Sequence, residues 1–279
     1  MKKYYINVLK DKDITLKNAI VKYMHFKESK ALELINYGSV WINNKREKNP
    51  DYILNNSLVT IYYPEKPIIE YTLNKNNIKY EDEYFIIVYK EAGVNSCPTP
   101  LSDIDNVLHG VQKYYNEKNI KYNVSPINRL DKPTEGLIFF AKEKKIESLL
   151  HNLFRERKIK KLYLAITPKC DLKQKSLLIN DPVEFKGKSY EAITKIWLYK
   201  EINNEFIFLV YPMTGRTHQI RKHFKKFLIP IKGDALYGNY SPDDKLQLIC
   251  FYYKFRHPIT KENIVVKHLE KDFSYICSE

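Results

Sequence analysis

The feature that most constrains the fold is a series of short apolar runs that recurs after residue 78. Runs of this length, rich in β-branched and aromatic residues, are typical of buried strands, and together they indicate one large sheet. Apolar positions at helical spacing between residues 142 and 161 add an amphipathic helix with a basic exposed face. We therefore predict an α+β fold with a mainly antiparallel mixed sheet. The runs occupy residues 84–89, 136–141, 162–166, 192–198 and 206–210.

The start of the chain has a different pattern, with two short helices before any long apolar run. Thr15 is a candidate N-cap for the first helix, and Ser29 is a candidate N-cap for a second helix that ends at Gly38. The apolar runs 40–42 and 58–63 then predict strands. This segment therefore predicts a small α+β module.

Two prolines mark a boundary after this module. Pro64 and Pro67 each lack a backbone N–H and disfavour a helix at the residue before them. The predicted organisation is a small domain at residues 1–66, a linker at 67–77 and a larger domain at 78–279.

The charge of the chain points to a polyanionic partner. Its 279 residues include 47 Lys and Arg against 33 Asp and Glu, which gives a formal net charge of +14. Such a surplus favours nucleic acid first and a membrane surface second. The sequence has no run of about 18 apolar residues, so we expect a cytoplasmic protein with no membrane partner. We also expect it to act as a monomer.

The cysteines and histidines do not have metal-ligand spacing. Cys97, Cys170, Cys250 and Cys277 lie far apart and are expected to be free thiols. His218 and His223 are five residues apart, so they do not share a helical face as the histidines of a zinc H-E-x-x-H motif would. The sequence also lacks the glycine-rich fingerprints of dinucleotide and phosphate loops. We expect neither a metal nor a cofactor.

Two segments carry polar groups suited to chemistry. Residues 128–137, NRLDKPTEGL, place Asp131 in a turn before an apolar strand. Taken alone, such an aspartate is more often a structural turn residue. Residues 213–224, MTGRTHQIRKHF, pass from a strand through a glycine turn into a helix, which could form an anion site.

Together these segments resemble the RluA family of RNA pseudouridine synthases. The family's H-R-L-D-x-x-T-S-G-L-L run is matched at 128–137, its K-x-Y-x-A run at 161–165, its T-G-R-T-H-Q-I-R-x-H run at 214–223 and its P-I-x-G-D-x-x-Y-G run at 230–238. The sequence departs from the family pattern at Glu91, Asn128, Glu135 and Ile249. Glu135 places an added negative charge near the site.

The resemblance implies a role for each matched residue. Asp131 would be the nucleophile, Arg221 its opposing cation, and Tyr163 would stack on the flipped uracil, although a core tyrosine is an equal alternative. Arg129 would fill the gap left by the flipped base. The other residues predicted to bind RNA in this domain are Thr134, Arg216, His218 and Gln219. The reaction would need no cofactor.

The small N-terminal module resembles the S4 RNA-binding domain through its G-x-V-x-[IV]-N stretch at 38–43. The resemblance implies RNA contacts by Lys22, Lys30, Lys45 and Arg46, whereas the alternative is a solvated basic face. The expected substrate is a uridine in a structured RNA, ribosomal RNA ahead of transfer RNA. One alternative is a non-catalytic S4-type RNA-binding protein. Another is a glycosidase or nucleosidase that uses Asp131, with Glu135 as the nearby candidate for the second carboxylate it would need.

Overall fold

The computed structural model describes residues 2–8, 13–172 and 174–268, so Cys277 lies outside the described residues. The chain forms two compact units. Unit 1 comprises Met1–Leu73 and Cys97–Ile120, and unit 2 comprises Asn74–Ser96 and Lys121–Glu279. In the described residues no helix is long and apolar enough to cross a membrane.

Unit 1 is a small α+β module. Its main sheet is antiparallel with the order β1-β6-β3-β4, and β2 pairs with β5. The buried core lies between this sheet and the first two helices and draws on residues from Ile6 to Ile61. The elements are β1 (Lys2–Val8), β2 (Ile14–Thr15), α1 (Leu16–Met24), α2 (Glu28–Asn36), β3 (Val40–Ile42), β4 (Lys45–Arg46), β5 (Ile53–Leu54), β6 (Ser57–Tyr63) and α3 (Val107–Glu117).

The helix ends of unit 1 follow local chemistry. The Thr15 hydroxyl accepts a hydrogen bond from the Asn18 N–H at 3.3 Å and caps α1, as predicted. Gly38 has φ 72° after α2, the left-handed conformation that glycine adopts without strain. The prediction of Ser29 as the N-cap of α2 was wrong, because the helix begins at Glu28 and its N-cap is Lys27.

Residues 97–120 pack with the N-terminal module, which differs from the predicted domain boundaries. The Ser39 hydroxyl donates to the Leu101 carbonyl at 2.5 Å, and the Trp41 indole donates to the Pro100 carbonyl at 2.9 Å. The Tyr71 N–H, in the predicted linker, donates to the Ile104 carbonyl at 2.9 Å. Contacts this far apart along the chain leave no periodic signal in the sequence, so a continuous domain from residue 78 was the simpler expectation.

Unit 2 is built around a large sheet with the order β12-β15-β16-β11-β17-β10-β8-β7; β18 pairs with β17 and β9 with β10. Every neighbouring pair in it is antiparallel except β10 and β17, which are parallel. The predicted α+β class with a mainly antiparallel sheet is confirmed. The strands are β7 (Ile78–Glu81), β8 (Phe85–Lys90), β9 (Ser125–Pro126), β10 (Glu135–Ala141), β11 (Lys160–Pro168), β12 (Ser176–Asn180), β13 (Val183–Phe185), β14 (Lys188–Tyr190), β15 (Ile193–Ile202), β16 (Glu205–Pro212), β17 (Leu248–Arg256) and β18 (Asn263–Lys267).

Two helices of unit 2, α4 (Lys144–Arg155) and α5 (Gln219–Phe227), pack on the sheet through Ile146, Leu150, Ile220 and Phe224. The predicted basic helix at 142–161 is shorter than expected, because Arg157 turns to φ 58° and Lys160 and Lys161 belong to β11. A short 3-10 helix (Lys75–Asn77) precedes β7.

Gly136 lets β10 approach β17 closely at the end of the sheet that carries Asp131. Its φ is 121°, and a Cβ at this position would lie 2.2 Å from the Cys250 carbonyl oxygen. No side chain fits there without moving backbone. The glycine of the 128–137 run is therefore required by the strand pairing.

Candidate active site

Asp131 lies in a turn between β9 and β10 whose backbone is tied on several sides. The Asp131 carbonyl accepts from the Thr134 N–H at 3.0 Å. The Lys132 carbonyl accepts from the Gly93 N–H at 2.9 Å and from the Lys90 ammonium at 3.1 Å. The Asp131 side chain is 26% exposed, so its carboxylate is fixed at its base and open to a ligand.

Lys90 is a buried cation that supports this turn. Its Nζ also donates to the carbonyls of Glu91 at 2.9 Å and Val94 at 2.8 Å, so the three ammonium hydrogens meet three carbonyls. Burial lowers the pKa of Lys90 to about 7, against a raising effect of Glu91, Glu135 and Asp131. The lysine of the Lys90-Glu91-Ala92-Gly93 stretch thus joins two loops beneath Asp131.

Arg221 on α5 faces two carboxylates. Its Nη1 lies 3.4 Å from Asp131 Oδ2, while its Nε and Nη2 donate to Asp234 Oδ2 and Oδ1 at 2.8 and 2.7 Å. Burial alone would lower the pKa of Arg221, but the bonds to Asp234 and the charge of Asp131 outweigh it and the pKa is raised. The structure thus brings together the predicted nucleophile and its predicted cation, 90 residues apart in the chain.

The segment before α5 is held by Gln219, whose side chain is 3% exposed. Its Oε1 accepts from the Thr214 hydroxyl at 2.8 Å and from the Arg216 N–H at 3.0 Å. Its Nε2 donates to the Ile193 carbonyl at 3.0 Å and to the Thr194 hydroxyl at 2.9 Å. These four bonds use the whole amide, so the predicted direct RNA contact by Gln219 does not fit this position.

His218 and Tyr237 complete the surroundings of Asp131. His218 Nε2 lies 3.7 Å from Asp131 Oδ2, and His218 Nδ1 lies 2.9 Å from the Tyr237 hydroxyl. Burial lowers the pKa of His218, although Asp131 acts in the opposite direction. The Tyr237 ring lies under the Arg221 guanidinium at 5.1 Å. His218, predicted to bind RNA, therefore faces the carboxylate.

Tyr163 lies on β11 at a shift in the register between β11 and β17. Its side chain is 7% exposed and packs in the main core of unit 2. Burial raises the pKa of its hydroxyl well above the usual value, with Cys250 and then Asp131 adding to the effect. The core interpretation explains its burial, and stacking on uracil stays a prediction.

The remaining predicted RNA contacts of unit 2 differ in exposure. Arg129 is exposed, two residues before Asp131. Arg216 is also exposed, although its Nε donates to the Glu191 carbonyl at 3.0 Å. Thr134 is 3% exposed, so its side chain does not offer a surface for RNA and supports the turn instead.

Within unit 1 the predicted RNA contacts divide into exposed and engaged residues. Lys22 and Lys45 are exposed. Lys30 forms an ion pair with Glu33 at 2.9 Å. Arg46 donates to the Thr99 carbonyl and lies 3.6 Å from Asp103. The Arg46 guanidinium therefore already has hydrogen-bond and charge partners within unit 1.

The departures from the family pattern have structural roles. The Asn128 amide donates to the Tyr253 hydroxyl at 2.8 Å, and its oxygen accepts from the Phe139 N–H at 3.0 Å. Glu135 is 3% exposed and accepts from the Tyr89 hydroxyl at 2.6 Å. Its carboxylate therefore points into the protein, not toward a bound RNA. Ile249 packs in a second buried cluster of unit 2, and Glu91 accepts from the Asn77 amide.

Sequence reasoning missed Asp234, Tyr237 and Lys90 as members of the site. Asp234 and Tyr237 lie in the matched run at 230–238, and membership of that run was the signal that could have found them. Among the described residues, no group of His, Cys, Asp and Glu is placed to hold a metal ion.

The fold and this site define the class of protein. The structure is similar to human RNA Pseudouridylate Synthase Domain Containing 4, with a TM-score of 0.58 and 19% identity over 72% of this chain and 91% of that chain. The fold of unit 2 is that of a pseudouridine synthase. Residues 84–226, about half of the chain, match the RNA pseudouridylate synthase family. The chain belongs to this family, whose members are isomerases that act on RNA.

Curated relatives agree with this membership. "Ribosomal large subunit pseudouridine synthase C" of Buchnera aphidicola subsp. Baizongia pistaciae (strain Bp) is 32% identical over 214 residues, which cover 68% of this chain and 66% of that protein. "Uncharacterized RNA pseudouridine synthase YjbO" of Bacillus subtilis (strain 168) is 24% identical over 241 residues, which cover 81% of this chain and 85% of that protein. The chain thus spans about two thirds of the length of the first relative.

Proposed function

We propose that this protein isomerises specific uridines in structured RNA, ribosomal RNA ahead of transfer RNA, with Asp131 as the nucleophile. The observation that carries the proposal is the approach of Arg221 to Asp131, 3.4 Å between Nη1 and Oδ2, at the open end of the site. A cation held in the protein stabilises the negative charge that the nucleophile needs. The protein would act in the cytoplasm as a monomer.

The reaction exchanges one bond for another on the same nucleotide. The bond from uracil N1 to ribose C1′ breaks, the base turns in the pocket, and C5 is joined to C1′. The C5 proton leaves and N1 gains one, so no atom or electron is lost. Asp131 would attack or support the sugar while the base is detached. Such a sequence needs no redox group.

The target uridine has to leave its stack before Asp131 can reach the sugar, which costs a few kcal/mol. Arg129 is exposed and lies two residues before Asp131, which suits a side chain that fills the space left by the base. In this proposal Tyr163 stacks on the extruded uracil.

The N-terminal unit is proposed to be an S4-like module that holds the RNA. Lys22 and Lys45 are exposed and suited to phosphate contacts. The name of the Buchnera relative includes the large ribosomal subunit. That name supports ribosomal RNA as the first substrate to test.

The test replaces Asp131 by Asn and measures tritium release from RNA labelled at uracil C5. The amide keeps the shape of the side chain but loses its charge and its nucleophilic oxygen, so release should stop while RNA binding persists. Asp243→Asn, at an exposed aspartate, is the matched control and should keep full activity.

Two outcomes would contradict the proposal. Undiminished release by Asp131→Asn would reject the nucleophile. No release by the unchanged protein on any cellular RNA would favour the non-catalytic RNA-binding alternative. The nucleosidase alternative has little support, because the Glu135 carboxylate is buried against Tyr89.

A further inference from the structure

His218 has a backbone conformation that L residues rarely adopt. Its φ is 55° and its ψ is 21°, in the left-handed region, directly before α5. The His218 carbonyl accepts from the Lys222 N–H at 2.9 Å, so this unusual residue is built into the first turn of the helix. Strained conformations of this kind cluster at functional sites, where the surrounding structure imposes them. A functional role for His218 therefore depends on the groups that its ring contacts.

The ring of His218 lies between a hydroxyl and the Asp131 carboxylate. Its Nδ1 is 2.9 Å from the Tyr237 hydroxyl, and its Nε2 is 3.7 Å from Asp131 Oδ2. The second distance exceeds a hydrogen bond, as is common in a catalytic site before substrate binds. The side chain is 27% exposed, so the ring is held but still reaches the open part of the site.

Tyr237 ties this histidine to the ion pair behind it. The Tyr237 backbone N–H donates to Asp234 Oδ1 at 3.1 Å, and its ring lies 5.1 Å from the Arg221 guanidinium carbon. One residue thus contacts Asp234, Arg221 and His218. Its hydroxyl is placed by groups that already face Asp131.

The groups around His218 determine which tautomer its imidazole adopts. Burial lowers the pKa of His218 against the raising effect of Asp131 and Asp234, and Arg221 and Lys222 lower it further. A neutral imidazole has one N–H and one lone pair. If the Tyr237 hydroxyl donates to Nδ1, the N–H lies on Nε2 and faces the carboxylate. The opposite tautomer would turn a lone pair toward the negative charge.

Both groups that approach Asp131 meet the same oxygen. Arg221 Nη1 and His218 Nε2 both face Oδ2, at 3.4 and 3.7 Å. Among the described residues, no hydrogen bond is made to Oδ1. The Arg221 contact is a hydrogen bond and the His218 contact lies just beyond hydrogen-bond length, so both donors approach Oδ2 and neither approaches Oδ1.

We propose that His218 is a positioning residue, set in its Nε2–H form by Tyr237, that holds Asp131 Oδ2 and directs Oδ1 at ribose C1′. The inference rests on the proposed function, because it requires Asp131 to be the nucleophile. It assigns His218 to the carboxylate and not to the RNA backbone.

Two amide substitutions of His218 distinguish a role of its Nε2–H group from a role of its left-handed backbone conformation. The His218→Gln amide nitrogen takes the place of Nε2, whereas that of His218→Asn takes the place of Nδ1. Asn tolerates the left-handed conformation better than Gln does. A purely structural role therefore predicts that Asn is the better substitute, and the positioning role predicts Gln.

The readouts are single-turnover tritium release, RNA affinity and thermal melting. We expect His218→Leu and His218→Asn to lose about 10- to 100-fold in rate, because a small misplacement of a reacting group costs that much. His218→Gln should recover most of the rate, and Tyr237→Phe should lose about 10-fold with its fold intact. The RNA affinity of all four variants should stay within about 2-fold, because neither side chain is assigned a phosphate contact.

The outcomes distinguish this inference from the proposed function. If Asp131→Asn is inactive while Gln and Asn at position 218 give equal rates, the positioning role is rejected and the nucleophile stands. A loss of RNA affinity that matches the loss of rate would also overturn it, in favour of a direct RNA contact. Full activity of Asp131→Asn would reject the proposed function itself.

Discussion

Arg221 binds Asp234 through two parallel hydrogen bonds, from Nε to Oδ2 at 2.8 Å and from Nη2 to Oδ1 at 2.7 Å. This fork fixes the plane of the guanidinium and leaves only Nη1 to face Asp131. The Leu236 and Tyr237 N–H groups donate to the same carboxylate at 3.1 Å each. Asp234 therefore sets the direction from which the Arg221 guanidinium approaches Asp131.

Replacing Asp234 by Asn should lower both stability and activity. The change leaves the Arg221 charge buried without its main partner, which costs on the order of 3–5 kcal/mol. We expect a large fall in the melting temperature and a slower single-turnover rate. Asp244→Asn, at an exposed aspartate, should change neither. Equal melting temperatures for Asp234→Asn and the unchanged protein would show that the pair is not stabilising.

The ion pair between Arg221 and Asp234 also predicts that the stability of the protein depends on pH in the acidic range. Burial alone would raise the pKa of Asp234, but the Arg221 bonds outweigh it and hold the pKa below the ordinary 3.8. A carboxyl group with a lowered folded pKa contributes stability above its unfolded pKa and loses it as the pH falls. The difference in melting temperature between the unchanged protein and Asp234→Asn should therefore shrink below about pH 4.

Much of the fold could be predicted, because the strands of unit 2 coincide with continuous apolar runs. Residues 84–89 and 136–141, for example, correspond to β8 and β10. The pairing of Asp131 with Arg221 followed from matched runs, since no periodicity brings together positions 90 apart. The packing of residues 97–120 with unit 1 and the burial of Gln219 depend on tertiary contacts. Neither has a local signature in the sequence.

Replacing Gln219 by Leu should destabilise the protein without acting on RNA directly. The apolar side chain keeps a similar volume but leaves the Arg216 N–H without its acceptor, at about 1–3 kcal/mol. It also removes one of the two donors to the Ile193 carbonyl, which keeps the bond from the Met213 N–H at 2.9 Å. Thermal melting should show the loss. Arg216→Ala, at the exposed neighbour, should instead weaken RNA binding with a smaller change in melting temperature. The reverse pattern would support the original expectation that Gln219 contacts RNA.

The buried Lys90 predicts a second dependence of stability on pH, with the same sign as that of Asp234 but in a higher pH range. Burial lowers its folded pKa to about 7, against 10.5 for the ordinary group. Between these values the unfolded chain binds more protons than the folded protein, so stability rises with pH. The melting temperature of the unchanged protein should therefore rise relative to that of Lys90→Met between about pH 7 and 10. Parallel melting curves across this range would contradict the assigned burial of the cation.

Replacing Glu135 by Gln should leave RNA binding unchanged, although the residue lies in the 128–137 run. The amide can keep the bond to the Tyr89 hydroxyl, while the ion pair with Lys245 at 3.2 Å is lost. We expect an RNA dissociation constant within about 2-fold of the original, because the carboxylate is buried. A clear gain in affinity would show instead that its charge repels the RNA.

RNA binding should weaken strongly with salt, because phosphate contacts release bound counterions. For about 6–10 contacts the affinity falls by roughly 10³ or more between 50 and 200 mM salt. Lys45 is exposed in unit 1, so Lys45→Ala should weaken binding on every sequence and reduce the slope of log affinity against log salt by about 1. Lys30 already pairs with Glu33 at 2.9 Å, so Lys30→Ala should change the slope less. An affinity insensitive to salt, or equal slopes for Lys45→Ala and the unchanged protein, would remove unit 1 from the proposed RNA surface.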